Sequence, residues 1–429
     1  NKLLALNIMA STSTQDMVRP GDGIDLFYYD GETSKKQVFP TTQNTKYVQS
    51  FANLGGGSSV FTIPPNSGIQ DVICSFRLAG LATPTGLAIP RGWGYALIKQ
   101  VSFRYGGSSQ FFLTGDQILQ NALRSQTSRS SANDILTLGG NFASSGTTPA
   151  LSADQYASVV LRLPHSIPSG VGKSHPFPTD LLTQQVQITV ELFPIGQIFT
   201  NNNAGGVLPT QLASAQFQVQ QCVLNNAGDA LARRVDMAVN AYAFPCEFVQ
   251  QVQRINLSQV NAGTANQVVL SGFRAGEVKA IHCWLTKSTD NALVTSTTGL
   301  YNPFLWYLPL SITMTYAGDV YARYENQSSP LWNLINGNKA PVVDNTSIVL
   351  ATPPTGTTPF ISQWVELPFA QTMLDEDAHN VLVHGKAITN GIVGLEVITP
   401  TSDTVWVLNV SYIYNSTLLM SQGTCDYVF

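Results

Sequence analysis

The chain carries an ordered internal repeat, and this repeat limits its possible folds more than any other feature. Five pairs of similar segments occur in the same order in the two halves, separated by 201 residues at the first pair and by 212 at the helix pair. The pairs are Tyr47-Val48-Gln49 with Phe248-Val249-Gln250, Ile73 with Ile281, Tyr105 with Tyr316, Leu119 with Leu331, and Pro164 with Pro368. A shared order with slowly drifting offsets indicates a duplicated domain with loop insertions.

Hydrophobic residues alternate with polar residues over several short runs in both halves. The clearest runs are 185–192, 216–223 and 404–414. A two-residue period is typical of strands with one buried face and one solvated face. The connectors between these runs are rich in Gly, Pro, Ser and Thr, as expected for turns and loops. The pattern predicts an all-β chain.

Helical signals are few. Asp116 is placed to cap a short helix that carries Leu119, Ala122 and Leu123 at helical spacing, and Ser329-Pro330 is placed to open another. We therefore predict two tandem eight-stranded jelly-roll β-sandwiches with short helical inserts. The predicted boundaries are an N-terminal arm at 1–46, a first jelly roll at 47–225, a linker at 226–247 and a second jelly roll at 248–429.

The segment Gly172-Lys173-Ser174 has the end of a nucleotide-binding phosphate loop but lacks its beginning. The motif needs a glycine five residues before Gly172, where this chain has Ile167, and Pro168 has no backbone N–H to donate. The following His175-Pro176 keeps the chain extended where a helix should begin. We predict that this segment is a connector that binds no nucleotide.

Composition excludes several other classes of function. Charged residues make up 11% of the chain and the net charge is −4, without a basic cluster, so direct nucleic-acid binding is not expected. The five cysteines are scattered and contain no C-x-x-C pair, which favours buried thiols in a reducing compartment. The acidic segment 374–379 lacks the glycine and ligand spacing of a calcium loop and reads as a solvated turn. The sequence predicts no catalytic residue, metal site or cofactor.

Several motifs together resemble a known family. They are Tyr105-Gly106-Gly107, the helix after Asp116, Leu163-Pro164 followed by a polar loop and Pro178, the segment "YAFPCEFVQQVQ", the segments "VVLSGF" and "VKAIHCW", and the terminal "YIYNSTLLMSQGTCDYVF". This order resembles the double jelly-roll major capsid proteins of icosahedral double-stranded DNA viruses, in the lineage of nucleocytoplasmic large DNA viruses, virophages and Polinton-like viruses. The chain departs from that pattern at His165 and Ser166, where the family has aromatic residues.

The resemblance implies a structural protein and not an enzyme. It implies a homotrimeric, pseudo-hexagonal capsomer in the virion shell, assembled in the host cytoplasm. The implied partners are neighbouring capsomers, penton and minor capsid proteins, and an internal membrane beneath the shell. Long polar loops at 124–157, 286–302 and 337–360 are expected at the outer end. The unrepeated segment 1–38 is expected along the trimer base.

Two other classes of protein stay open from the residues alone. One is a secreted adhesin or carbohydrate-binding protein built of tandem sandwiches. The other is a β-sandwich glycoside hydrolase, which needs two carboxylates facing each other across a cleft. Its candidate carboxylates are Glu191, Glu247, Glu366 and Glu396. Asn326 and Asn345, in polar connectors, are the candidate N-glycosylation sites.

Overall fold

The structure is a computed structural model of the 429-residue chain. It describes residues 42–64, 68–84, 87–89, 92–105, 111–124, 135, 137–140, 151–161, 177–179, 182–201, 207–224, 242–250, 252–258, 263–288, 305–325, 360–361, 364–369, 386–388, 392–400 and 405–428. Residues 1–41 of the predicted arm at 1–46 and the predicted helix after Ser329 lie outside this part of the chain.

The first half of the chain forms two facing antiparallel sheets, which we call sandwich 1. One sheet has the strand order β1-β11-β3-β7, with β8 beside β3, and the other has the order β2-β9-β5-β6. The strands are β1 Thr42–Ser50, β2 Gly57–Ile63, β3 Gly68–Leu78, β4 Leu87–Ala88, β5 Ile98–Arg104, β6 Phe111–Thr114, β7 Gln155–Leu161, β8 Phe177–Pro178, β9 Val186–Leu192, β10 Thr200–Asn201 and β11 Ser214–Leu224. The short strands β4 and β10 pair with each other.

The alternating residues of these strands build the core of sandwich 1. In β9, the four residues Val186, Ile188, Val190 and Leu192 are buried while the residues between them are half-buried. Phe61 of β2 stacks on Phe217 of β11 across the sandwich, with ring centroids 4.1 Å apart. Because each large apolar side chain contributes roughly 1.5–3 kcal/mol when buried, this two-residue period is sufficient to hold the sheets face to face.

The second half forms sandwich 2, whose sheets have the orders β12-β23-β15-β20 and β14-β22-β17-β18. The strands are β12 Tyr242–Val249, β13 Gln253–Asn256, β14 Ala265–Leu270, β15 Glu277–Lys287, β16 Leu305–Trp306, β17 Ser311–Tyr316, β18 Asp319–Glu325, β19 Phe360–Ile361, β20 Val365–Pro368, β21 Lys386–Ala387, β22 Val393–Ile398, β23 Trp406–Ser421 and β24 Thr424–Val428. Eight of them occupy the same sheet positions, in the same chain order, as the eight main strands of sandwich 1. The predicted pair of eight-stranded jelly rolls is confirmed.

Sandwich 1 contains the α-helices α1 at Trp93–Leu97 and α2 at Gly115–Arg124 and a 3-10 helix at Ile195–Ile198. The sequence predicted α2 but assigned its cap to the wrong residue. The Gln117 side-chain oxygen accepts hydrogen bonds from the backbone N–H and the hydroxyl of Thr114, at 3.1 and 3.3 Å. These bonds form the side-chain-to-N-cap half of a capping box, with Thr114 at the N-cap position. Asp116 lies in the first turn, and its carboxylate contacts another element.

Strand pairing tests the segment matches of the repeat. Equivalence of Tyr105 and Tyr316 is consistent with the sheets, because Phe103 and Met314, two residues earlier, are both buried. The match of Ile73 with Ile281 is wrong by one residue, since Ile73 lies opposite Gln218 on the outer face, while Cys74 faces the core. The domain boundaries stay predictions. Strands β1 and β12 begin a few residues before the predicted starts of the two jelly rolls.

Candidate functional site

The two sandwiches pack against each other along one surface, which we call the junction. Sandwich 1 contributes β6 and α2, and sandwich 2 contributes β12, β13, β23 and β24. One face of α2 carries Ile118, Leu119 and Leu123, which belong to the core. The other face begins with Asp116 and Gln117, which reach sandwich 2. Since residues three or four apart share a helix face, the amphipathic pattern of α2 presents its polar side to the second sandwich.

Three aromatic rings form the apolar part of the junction. Phe111 of β6 packs edge-on against Phe248 of β12, with ring centroids 5.0 Å apart, and lies 6.0 Å from Tyr427 of β24. Phe248 and Tyr427 lie 5.6 Å apart, also edge-on. Arg274 places its guanidinium 4.7 Å from the centre of the Phe248 ring. Edge-on aromatic contacts of this kind add to the stabilisation from buried area.

Polar contacts surround the aromatic cluster. The Gln117 amide donates to the backbone carbonyl of Gln250 at 2.5 Å and to the Ser411 hydroxyl oxygen at 3.3 Å. Ser411 in turn donates to the same carbonyl at 3.1 Å. The Arg254 guanidinium lies 3.4 Å from the Asp116 carboxylate. These contacts hydrogen-bond the Gln117 amide and the Ser411 hydroxyl across the two sandwiches.

Burial raises the pKa of the Asp116 carboxyl group above its usual range, and the nearby Arg254 charge opposes that shift. At the other side of the junction, the Thr183 hydroxyl donates to the Gly423 carbonyl at 3.0 Å. Gly423 has a φ of 77°, and a Cβ atom there would lie 2.3 Å from the Thr183 methyl carbon. Only glycine fits this turn, because any side chain would be both strained and in collision.

The outer face of the β12-β23-β15-β20 sheet carries charged groups that are buried. The Lys279 ammonium donates to the Glu247 carboxylate, and both side chains are almost fully buried, with 3% and 1% exposure. His282 lies 3.0 Å from Glu366, and its ring centre lies 5.7 Å from that of Trp364. Buried charges need partners of this kind, because an unpaired buried charge is strongly unfavourable.

The four candidate carboxylates of the hydrolase alternative each have a different non-acidic partner. Glu191 pairs with Lys99 at 2.7 Å, Glu247 with Lys279, Glu366 with His282, and Glu396 with the Gln267 amide at 2.6 Å. Within the described ranges, no group of three or more His, Cys, Asp or Glu side chains is positioned to hold a metal ion. The carboxylates thus act as structural ion-pair or hydrogen-bond partners.

The other residues singled out in the sequence divide into two groups. Cys74, Cys283 and Cys425 are buried free thiols, as predicted, and burial raises the pKa of the Cys74 and Cys283 thiols. Asn409 begins a further Asn-x-Ser sequence, but it is buried and donates to the Thr286 hydroxyl at 3.0 Å, so it is not a sugar acceptor.

The second group lies outside the described residues. It comprises Gly172-Lys173-Ser174, the acidic segment 374–379, the candidate glycosylation sites Asn326 and Asn345, and most of the three long loops. Among the helices that the structure describes, none is long and apolar enough to span a membrane.

Comparison with known proteins identifies solved structures of similar architecture. No protein-family model matches the chain, and no curated protein matches it. Solved structures do match. PBCV-1 VP54, fitted into a reconstruction of the virophage Sputnik, aligns with a TM-score of 0.61 at 14% identity over 92% of this chain and 99% of that chain. The Faustovirus major capsid protein aligns with a TM-score of 0.52 at 14% identity, over 90% of this chain and 92% of that chain. The mavirus major capsid protein aligns with a TM-score of 0.51 at 12% identity, over 97% of this chain and 93% of that chain.

The chain has the double jelly-roll fold of viral major capsid proteins. The alignments extend over both sandwiches, because they cover 90% or more of the chain. The fold that the sequence resemblance implied is thereby confirmed. The junction was missed in the sequence, since its residues come from segments far apart in the chain and each reads as an ordinary core or surface residue.

Proposed function

We propose that this chain is the major capsid protein of an icosahedral double-stranded DNA virus, and that three copies form a pseudo-hexagonal capsomer. The observation that carries the proposal is the side-by-side packing of two sandwiches with the same strand order. Three such chains in a ring supply six similar units. A six-sided tile of this kind can cover the faces of a closed shell.

The composition supports a protein that contacts many copies of itself. Charged residues are 11% of the chain, so like-charge repulsion between neighbouring copies is small. Cyclic closure uses the same two surface patches on every subunit and leaves neither patch unpaired. Permanent interfaces of this kind commonly exceed about 2,000 Å².

The proposal extends to partners and location. Neighbouring capsomers, penton and minor capsid proteins, and an internal membrane beneath the shell are the expected partners, without direct nucleic-acid binding. The expected location is the virion, after assembly in the host cytoplasm, and the protein is expected not to be an enzyme. Sugar on Asn326 or Asn345 stays a prediction, because glycosylation depends on the compartment of assembly.

Native mass spectrometry of the full chain tests the capsomer. We expect a species of three times the 46.3 kDa chain mass, and flat hexagonal tiles by electron microscopy. A stable monomer at micromolar concentration would contradict the capsomer and favour a tandem-sandwich adhesin or hydrolase. Deleting residues 1–38 is expected to impair shell formation more than trimer formation, and normal particles from that variant would remove the proposed role of the arm.

A further inference from the structure

Sandwich 2 contains a short sequence typical of a sugar acceptor that the proposed function does not use. Asn256, Leu257 and Ser258 form the pattern Asn-x-Ser, which supplies an asparagine amide and a hydroxyl two residues later. Asn256 is the last residue of β13, and Ser258 lies in the bend that follows. The acceptor pattern therefore lies at the end of a strand, where the chain begins to leave the sheet.

Both polar residues of this pattern are exposed in the folded chain. Asn256 and Ser258 are open to solvent, whereas Leu257 between them is 3% exposed and belongs to the core. The Leu257 backbone N–H donates to the Trp406 carbonyl at 2.9 Å. The buried leucine holds this segment on the sandwich, and the alternation of an extended chain turns the amide and the hydroxyl outward together.

The other two Asn-x-Ser/Thr sequences within the described residues are different. They begin at Asn409 and Asn415, and their hydroxyl residues, Ser411 and Thr417, are 0% and 7% exposed. The side-chain nitrogen of Asn409, the atom that would carry a sugar, already donates to the Thr286 hydroxyl at 3.0 Å. Among the three described sequences, the one in β13 alone exposes both groups that the reaction needs.

Strand direction locates this site at one end of sandwich 2. Strand β15 ends at Lys287, which pairs with Trp406 at the start of β23. Asn256 pairs with Val407, the next residue of β23. The loop 286–302, which is expected at the outer end of the capsomer, leaves the sandwich at this same end. In the proposed capsomer, a group attached to Asn256 thus projects from the outer end.

We propose that Asn256 is an N-glycosylation site that carries a sugar chain at the outer end of the capsomer. In this reaction the Asn256 side-chain nitrogen forms a bond to the anomeric carbon of a sugar and loses one proton. The leaving group is the diphosphate-linked carrier of an activated glycosyl donor. Because the amide and the hydroxyl are exposed after folding, a glycosyltransferase that acts on the folded chain reaches them. The inference rests on the proposed function only for the direction in which the sugar projects.

A sugar at Asn256 would also protect an edge strand. Among the strands that the structure describes, β13 pairs only with β23. An open strand edge is a template for pairing with another chain, and covering the edge prevents this pairing. A glycan is bulky and solvated, so it covers the surface beside β13 without adding apolar area.

Glycopeptide mass spectrometry of the full chain from virus particles tests the site. Trypsin cleavage after Arg254 and Arg274 releases residues 255–274, in which Asn256 begins the one Asn-x-Ser/Thr sequence. We expect this peptide to be heavier by the mass of a sugar chain, with fragment ions that locate the sugar on Asn256. An unmodified peptide from trimeric protein would overturn the site and leave the capsomer standing.

Substitutions at Ser258 test whether the acceptor pattern directs the modification. Ser258→Ala keeps the Asn256 amide but removes the hydroxyl, so we expect the sugar to be lost, whereas Ser258→Thr is the matched control and is expected to retain it. Both changes are at an exposed position, so native mass spectrometry is expected to give trimers as for the wild type. Sugar that survives Ser258→Ala would overturn the assignment. A glycosylated but monomeric wild-type chain would overturn the capsomer and leave the site standing.

Discussion

Strands β3 and β15 have the same position in the two sandwiches but different surroundings. From Asp71 to Leu78, β3 alternates between buried residues and partly or fully exposed ones. In β15, every residue from Val278 to Thr286 is buried. The outer face of β15 is covered by a second layer. Trp306 of β16 belongs to this layer and packs on Trp284 of β15, with ring centroids 5.1 Å apart. Equal topology therefore does not give equal solvent exposure.

Because that face is covered, the charged residues on it are buried and need partners within the protein. On the sandwich 1 sheets, Lys99 and Glu191 pair at 2.7 Å while still 50% and 34% exposed. On sandwich 2, Lys279 and Glu247 pair while almost fully buried. A surface ion pair contributes little, because water already stabilises both charges. A buried pair has no such alternative, so the loss of one partner is severe.

Breaking the buried pair gives the largest expected effect. Lys279→Met leaves the Glu247 carboxylate buried without its ammonium partner, and we expect the free energy of unfolding to fall by about 3–5 kcal/mol. Urea denaturation followed by tryptophan fluorescence measures this change. The double variant Lys279→Met/Glu247→Leu is expected to recover most of the loss, because it removes both charges together.

The equivalent change in sandwich 1 is the matched control. Lys99→Met removes the partner of Glu191, which stays partly solvated, and the expected loss is at most about 1 kcal/mol. If Lys279→Met and Lys99→Met lower stability equally, then the outer face of β15 is not shielded from water and the contrast between the sandwiches is wrong.

A smaller effect is expected at the junction. Ser411→Ala removes a hydroxyl that accepts from Gln117 and donates to the Gln250 carbonyl. We expect the free energy of unfolding to fall by about 1–3 kcal/mol, because the Gln117 amide and the Gln250 carbonyl each lose a hydrogen bond to the Ser411 hydroxyl. Ser75→Ala on β3 is the control, since its hydroxyl lies 3.5 Å from that of Ser158 in a partly solvated position. A change within about 0.5 kcal/mol is expected there, and an equal loss at both serines would argue against a shielded junction.

The sequence predicted those features that arise from local periodicity. The runs that became β9, β11 and β23 alternate between hydrophobic and polar residues, most regularly in β9, and the repeat predicted a duplicated domain. The junction could not be predicted in the same way. Phe111 and Phe248 are indistinguishable from other core aromatics in a sequence, and Gln117 on the polar side of α2 resembles a solvated residue. Glu247 and Lys279 meet only because their strands flank β23, so no local pattern marks them as a buried pair.

Two aspartates of sandwich 1 give the smallest and most specific effect, because their pKa values shift in opposite directions. Burial at the junction raises the pKa of Asp116. In contrast, the Gly80 backbone N–H and the Arg77 guanidinium lower the pKa of the partly exposed Asp154 carboxyl group. A carboxyl group with a raised folded-state pKa stabilises the fold when the pH is below its unfolded-state pKa, and this stabilisation is lost as the pH rises through the folded-state pKa. A lowered pKa gives a contribution that is present above the unfolded value and is lost as pH falls through the folded value.

Asparagine variants of the two aspartates should therefore change stability with opposite signs. At pH 7, Asp116→Asn removes a charge that is unfavourable in its buried site, so we expect a variant as stable as the wild type or more stable. Asp154→Asn removes a charge that its partners stabilise, so we expect a less stable variant at the same pH. Both differences should shrink as pH falls towards about 3, because the Asp116 carboxyl group is then neutral in the folded state and the Asp154 carboxyl group is largely protonated in the unfolded state. Urea unfolding from pH 3 to pH 7 measures the two curves, and Asp116→Asn destabilisation that grows with pH would show that the Arg254 ion pair outweighs burial at the junction.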